Sequence, residues 1–340
     1  MTDVVRRRLG AQLLCGPPGR SPEEVARRIL AIQAQDPRGA RLAIRARSEG
    51  LTAADVDRAF TRDRSLVVTW LNRGTLHLVH SEDYPWLLAV TAPRRSTWLA
   101  TRFRQLAVSP EDAEKTVAIV VNALATEGPL GRRQLRQRIA AAGLPVEGQA
   151  FVHQVALASF RGLVVRGPMV RGQQAFVLAR DWLGEPPAVD RERALAELAR
   201  RYLAGHGPAS DRDLAYWAGV PLTDARAGLR SIASELADGP DGLVDLAGRS
   251  YELEPLPPRL LGPFDPILHG WPDREPIAGE YLPRIVNGGL FRPTILVDGR
   301  VAGTWLGKPN AVELQPFRDL APKQVAALES DGRDVVRFLG

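Results

Sequence analysis

Apolar residues recur at helical spacing through the first sixty positions. Val5, Leu9, Leu13 and Leu14 mark a helix over 4–14, closed by Gly16-Pro17-Pro18-Gly19. Ser21-Pro22-Glu23-Glu24 opens a second helix, with serine at the N-cap, proline in the first turn and acids at the positive end of the helix dipole. Its buried stripe is Val25, Ile29 and Ile32, and it is expected to run to Gln35. Asp36 precedes Pro37, and a residue before proline is steered out of the α region, so the helix should unwind there. A short helix over 41–48 and one from Thr52 to Phe60 follow. The pattern then turns β-rich: Leu66-Val67-Val68-Thr69-Trp70-Leu71 and Thr75-Leu76-His77-Leu78-Val79 flank Asn72-Arg73-Gly74 as a hairpin. Alternation puts His77 on the face of Thr75. Helices followed by a hairpin in this order describe a winged helix, here over 1–80.

Residues 81–110 read as a helical connector in which Trp86, Trp98 and Phe103 pack between modules. An internal repeat follows. Leu124-Ala125-Thr126-Glu127-Gly128-Pro129-Leu130-Gly131-Arg132-Arg133-Gln134-Leu135 matches Leu203-Ala204-Gly205-His206-Gly207-Pro208-Ala209-Ser210-Asp211-Arg212-Asp213-Leu214 at an offset of 79 without a gap. Gly162-Leu163-Val164-Val165 matches Gly242-Leu243-Val244-Asp245 at an offset of 80, and each is expected to start a ribbon, ending at Phe176-Val177-Leu178 and at Tyr251-Glu252-Leu253. The expectation is a mainly helical α+β chain of three tandem winged helices, at 1–80, 111–182 and 190–255. A C-terminal element over 256–340 holds strands at 292–297, 300–306 and 311–316, an Asp298-Gly299 turn, and a terminal helix at 320–338.

Composition adds little to the fold and more to the partner. The hydrophobic fraction of 45% suits a chain with real cores. There is no apolar run of membrane length and no secretory signal, and a single cysteine, Cys15, is read as a buried small hydrophobe. A reducing, cytoplasmic setting without membrane or protein partner is expected. Charge is uneven. Residues 1–180 hold 27 Lys and Arg against 15 Asp and Glu, net +12; the remainder holds 18 against 24, net −6. A basic half is the electrostatic footprint of a nucleic-acid binder. The second module concentrates it, with Arg132, Arg133, Arg136 and Arg138 on one helix and Arg161, Arg166 and Arg171 on its wing. The third wing carries Asp241, Asp245, Glu252 and Glu254, so that module is assigned to scaffolding. The loop from Gly262 to Arg274 is dense in aromatic and polar groups, and Trp271 and Arg274 are candidate DNA contacts.

Standard catalytic apparatus is missing. There is no Walker loop, no dinucleotide fingerprint and no Cys/His cluster at metal spacing, so neither cofactor nor metal is expected. The unusual element is Gln33-Ala34-Gln35. On a regular helix its amides would point roughly 200° apart; unwinding before Pro37 lets them converge on one water. Amides do not titrate, so a water held this way is a weak nucleophile and needs an excellent leaving group. A cationic N7-alkylated purine on deoxyribose is one, and catalysis then rests on positioning and electrostatics. Taken alone, Gln-Ala-Gln is equally compatible with two surface amides.

Gln33-Ala34-Gln35, together with Thr69-Trp70-Leu71-Asn72-Arg73-Gly74-Thr75-Leu76-His77-Leu78-Val79 and Phe264-Asp265-Pro266, Gly270-Trp271 and Asp273-Arg274, resembles the AlkZ family of bacterial DNA glycosylases over nearly the whole chain. The resemblance implies a Gln-Φ-Gln catalytic centre, Φ being aliphatic, at Gln33, Ala34 and Gln35. It also implies removal of bulky N7-alkylguanine adducts from double-stranded DNA, in some members as antibiotic self-resistance or crosslink unhooking. A related branch has Asp at the second position; this chain has Gln. Arg73, Thr75 and His77 are candidate substrate or supporting contacts. Backbone cleavage by such enzymes needs an amine nucleophile. The basic half contains one lysine, Lys115, so a monofunctional enzyme is expected. The alternative is a non-catalytic winged-helix DNA binder or regulator, which leaves the Gln pair without a role.

Overall fold

Ser21 caps the second helix as its neighbours require: its side chain accepts from the Glu24 amide, with Pro22 in the first turn. The computed structural model describes residues 3–251, 254 and 256–340. Helices α1 (Asp3–Ala11) and α2 (Pro22–Ile29) precede a two-residue extended segment, β1 (Ile32–Gln33), then α3 (Pro37–Arg45) and α4 (Ala53–Thr61). The hairpin β2 (Leu66–Trp70) and β3 (Leu76–His80) leads to α5 (Tyr84–Thr91) and α6 (Arg95–Gln105). Next come α7 (Pro110–Glu127), α8 (Arg132–Ala141), α9 (Ala150–Phe160), β4 (Val164–Val170), β5 (Gln173–Leu178) and α10 (Ala179–Leu183). Then follow α11 (Arg191–His206), α12 (Asp211–Ala218), α13 (Leu222–Ser231), β6 (Leu236–Asp238) and β7 (Val244–Leu246). The last part holds β8 (Arg259–Leu261), α14 (Glu275–Ala278), α15 (Leu282–Ile285), β9 (Val286–Asn287), β10 (Leu290–Phe291), β11 (Thr294–Val297), β12 (Arg300–Lys308), β13 (Ala311–Pro316) and α16 (Pro322–Leu339). The chain is thus mixed α/β, with helices holding close to half of it.

Two compact units emerge: Met1–Val56 with Leu195–Gly340, and Asp57–Ala194. The segment 1–80 contributes to both. In the second unit, β2 and β3 pair in continuous register from Leu66↔His80 to Trp70↔Leu76, and the strands run in the order β3-β2-β4-β5. α7 begins with a capping box at Ser109 and Asp112 and packs on α8 and α9. Leu130 bridges to Phe176 between α7 and α8. In the first unit Ala209, at the offset of 79, bridges to Val244 between α11 and α12. Helix, bridging residue, two helices and a ribbon therefore occur twice.

Several sequence expectations shift. The first helix ends at Ala11, not 14, because Leu13 takes a positive φ of 56°. Cys15 falls beyond it, buried, and burial raises its thiol to about 11. The ribbon expected to start at Gly242 has Val244–Leu246 as its second strand, paired with Leu236–Asp238. Of the residues expected to end it, Glu252 and Leu253 lie outside the described residues, as does Pro255. The C-terminal sheet has a fourth strand, β8, in the order β13-β12-β11-β8. Asp298 and Gly299 both take positive φ, 51° and 72°, as a two-residue hairpin turn demands. α16 packs on this sheet, and Arg45 reaches Asp331 and Asp334 from α3.

The centre of the first unit is ionic. Arg47 and Asp265 have fully buried side chains and meet through two bonds of 2.9 and 2.8 Å. Gln12 accepts from Arg47 at 3.1 Å and donates to the Gly205 carbonyl at 3.0 Å. This joins the segments just past the ends of α1 and α3 to α11 and the 262–274 loop.

Candidate active site

Gln33 and Gln35 do not lie on a helix. α2 stops at Ile29 because the fully buried Leu30 takes φ 69° and ψ −51°. The helix ends well before Gln35, contrary to the sequence expectation. Ile32 and Gln33 are extended, and Asp36, before Pro37, is extended too, at φ −107° and ψ 112°. The Asp36 carboxylate caps α3 by accepting from the Gly39 amide at 2.7 Å. In extended backbone, residues i and i+2 share a face. Gln33 and Gln35 therefore converge while Ala34, 3% exposed, is turned into the unit. Gln33 Nε2 donates to Gln35 Oε1 at 2.5 Å.

Gln33 is buried and Gln35 exposed. Gln33 Oε1 is enclosed and has no partner among the described residues. An enclosed acceptor left unpaired carries a desolvation cost of ~1–3 kcal/mol. With one amide donating to the other, the pair keeps an acceptor on Gln33 and donors on Gln35 Nε2. That combination suits a molecule that both donates and accepts.

The hairpin of β2 and β3 belongs to the second unit. Arg73 sits at its turn with φ 53°. Thr75 Oγ1 donates to the Asn72 carbonyl at 3.2 Å, and His77 Nδ1 lies 3.0 Å from the Thr75 carbonyl. A carbonyl only accepts, so the proton of the neutral ring is on Nδ1 and Nε2 is the acceptor. Burial holds His77 far below its ordinary value, at about 3, helped by the charge of Arg73 and opposed by the Thr75 carbonyl. Thr69 faces His77 in register. Its hydroxyl, and both amide atoms of Asn72, are buried without partners among the described residues. Sequence reading passed over Thr69 and Asn72. Their signal was a polar residue on the inward face of an apolar strand and another in a tight turn.

The arginine candidates divide. Arg132 and Arg133 on α8 are exposed, Arg132 lying 5.4 Å over the Phe151 ring. Arg171 is exposed at the β4–β5 turn. Arg136 is exposed but paired with Glu147 at 2.9 Å, and Arg138 forks onto Glu127. Arg166 is not presented outward. It lies 5.1 Å from the Trp70 ring and 4.7 Å from that of Phe176, and burial lowers it to about 10. Trp271 is buried and Arg274 half-buried. Trp271 is 2% exposed, under Arg8 at 4.5 Å and beside His206 at 5.7 Å. Arg274 donates to the Leu268 carbonyl and the Tyr216 hydroxyl, each at 2.8 Å. The aromatic loop is thus packing for the first unit, with Asp265 as its anchor. A cavity of 930 Å³ in the second unit, against Tyr84, Leu88, Phe160 and Trp182, is lined by none of the candidates.

A Streptomyces sahachiroi protein described as an interstrand DNA cross-link repair glycosylase is 28% identical over 348 positions, covering 94% of this chain and 91% of the relative. The solved structure of the Streptomyces sahachiroi DNA glycosylase AlkZ is similar with a TM-score of 0.79 and 24% identity, covering 98% of this chain and 95% of that one; this likeness establishes the fold. A family model described as DNA glycosylase AlkZ-like matches residues 26–338, and the chain belongs to that AlkZ-like DNA glycosylase family.

Proposed function

We propose that this chain is a monofunctional DNA glycosylase that hydrolyses the bond between deoxyribose and a cationic N7-alkylated purine. The observation that carries the reading is the Gln33–Gln35 contact, with Gln33 Oε1 enclosed and lacking a partner among the described residues. A water donating to Gln33 Oε1 and accepting from Gln35 Nε2 is held with a lone pair left for the sugar carbon. The base leaves with the bonding electrons and so loses its positive charge. The oxocarbenium-like sugar is trapped by the water, whose proton passes to solvent. No group of the pair titrates, so rate enhancement comes from position and from amide dipoles facing the developing charge. His77, neutral and accepting at Nε2, supports substrate binding together with Arg73 and Thr75. Arg132, Arg133 and Arg171 meet phosphates. The name of the sahachiroi relative points to cross-linked duplexes, and purines bridged through N7 are the substrate class proposed here.

The test is release of N7-methylguanine from an alkylated duplex, and of a bridged purine from a cross-linked one. Wild type should release base from at least one. Gln33→Ala and Gln35→Ala should each lose about 100-fold or more, the scale of removing an oriented transition-state group. Equal release by all three would refute the site. Binding of both duplexes without any release would leave a non-catalytic DNA binder.

A further inference from the structure

Between Asp83 and Glu111 the chain has four arginines, Arg94, Arg95, Arg102 and Arg104, and neither lysine nor an acidic residue. Three are on α6 and Arg94 is its N-cap. Leu99 and Phe103, 1% and 8% exposed, define the buried side of the helix. At 100° per residue, Arg94 and Arg104 fall on the opposite side and Arg102 on its flank, and all three are exposed. Arg102 donates to Gln105 at 2.9 Å and Arg104 to Thr101 at 3.2 Å, both neutral groups. Four other exposed arginines of this unit are met by carboxylates, Arg136 by Glu147, Arg138 by Glu127, Arg161 by Glu114 and Arg180 by Glu185. α6 therefore retains its charge, as the start of α8 does at Arg132 and Arg133, whereas Arg136 and Arg138 further along α8 are paired.

The helix is also placed beside the hairpin turn. A Cβ built on Gly74 would lie 3.6 Å from Arg95 Cδ and 3.9 Å from the Trp98 ring, so the start of α6 packs on the turn that carries Arg73. From Arg94 to Arg104 the rise is about 15 Å, the axial length of roughly four base pairs. A protein partner would need an apolar anchor. Among the described residues the exposed large hydrophobic ones, Leu163, Val170, Leu290 and Leu306, are elsewhere. Arginine's planar fork suits phosphate oxygens.

We propose that the exposed arginine face of α6 is a docking surface for the sugar–phosphate backbone of DNA, seated next to the Asn72–Gly74 turn. This rests on the reading of DNA as substrate and locates its grip on α6, a helix the sequence marked only for packing. The test is binding of an undamaged duplex against salt concentration by wild type and by a triple variant, Arg94→Ala, Arg102→Ala and Arg104→Ala. Each phosphate contact contributes about 0.9 to the log–log slope, so the triple variant should lose about 2.7. Arg180→Ala, whose partners are carboxylates, should keep the wild-type slope. Thermal melting checks that the triple variant folds. A wild-type slope in a folded triple variant would overturn the proposal. So would unchanged DNA binding with lost binding of polyglutamate, which would assign the face to an acidic protein. Failure of the glycosylase reading would show instead as absent base release by wild type, which this measurement does not involve.

Discussion

Gln33 donates to Gln35 across the buried Ala34, with 2.5 Å between Nε2 and Oε1. The side chain at 35 is therefore an acceptor held by a donor, and a carboxylate there would accept the same bond more strongly. Gln35→Glu is expected to fold as wild type and to release base faster than Gln35→Ala. Its rate should acquire an acid limb in the carboxylate range, because protonation cancels the new charge. A Gln35→Glu profile as flat in acid as that of wild type would show that position 35 does not face the reacting sugar.

His77 and His206 are both enclosed, and burial lowers each to about 3; for His206 the charges of Arg47, Arg8 and Arg249 add to this and the Tyr202 carbonyl opposes it. In the unfolded chain each takes up a proton near pH 6.5, while the folded chain does not. Stability is thus fully present above about pH 6.5 and is lost as pH falls toward 3, by up to about 1.4 kcal/mol per pH unit for each ring. Urea midpoints should fall from pH 7 to pH 5, and the imidazole carbon shifts of both residues should stay constant over that range. Titration of either ring near pH 6 in the folded protein would contradict the assignment.

Arg47 and Asp265 form a pair with no exposed side-chain surface. Removing one partner strands a buried charge, so Asp265→Ala should cost roughly 3–5 kcal/mol. Replacing both, as Arg47→Met with Asp265→Leu, should recover most of that loss. The urea midpoints of the two variants decide it: equal destabilisation would mean that Asp265 acts through its bond to the Ile267 amide at 3.0 Å, not through Arg47.

Lys115 is exposed and bonded to Glu111 at 2.8 Å, which raises its pKa and keeps it protonated. Lys308 is likewise paired with Glu313, at 3.0 Å. A Schiff base requires a neutral amine. Borohydride added during turnover should therefore trap no protein–DNA adduct, and abasic product should stay unbroken until treated with base. A trapped adduct lost in a Lys115→Ala variant would make the enzyme bifunctional.

The parts of this molecule governed by neighbours within four or five residues were legible in the chain itself. Ser21 and Pro22 begin α2, Asp36 is extended before Pro37, Asp298-Gly299 turns the C-terminal hairpin, and β2 and β3 pair where the β-rich runs predict them. These follow from sterics and local hydrogen bonds, which composition and spacing record directly. The 79-residue offset was equally visible, and it reappears as the bridges at Leu130 and Ala209. What long-range packing decided was which polar residues face outward. Trp271 and Arg274 carry the same letters whether they meet DNA or, as here, Arg8 and Tyr216. Arg166 is drawn between Trp70 and Phe176, and Arg136 and Arg138 are neutralised by Glu147 and Glu127. Burial and charge pairing depend on partners far away in sequence, and no periodicity encodes them. The Gln pair lies between these cases. Its convergence was expected from the proline beyond it, but the chain leaves the helix earlier, at the end of α2 at Ile29: a leucine accepts φ 69° only where enclosure of its side chain outweighs the backbone strain.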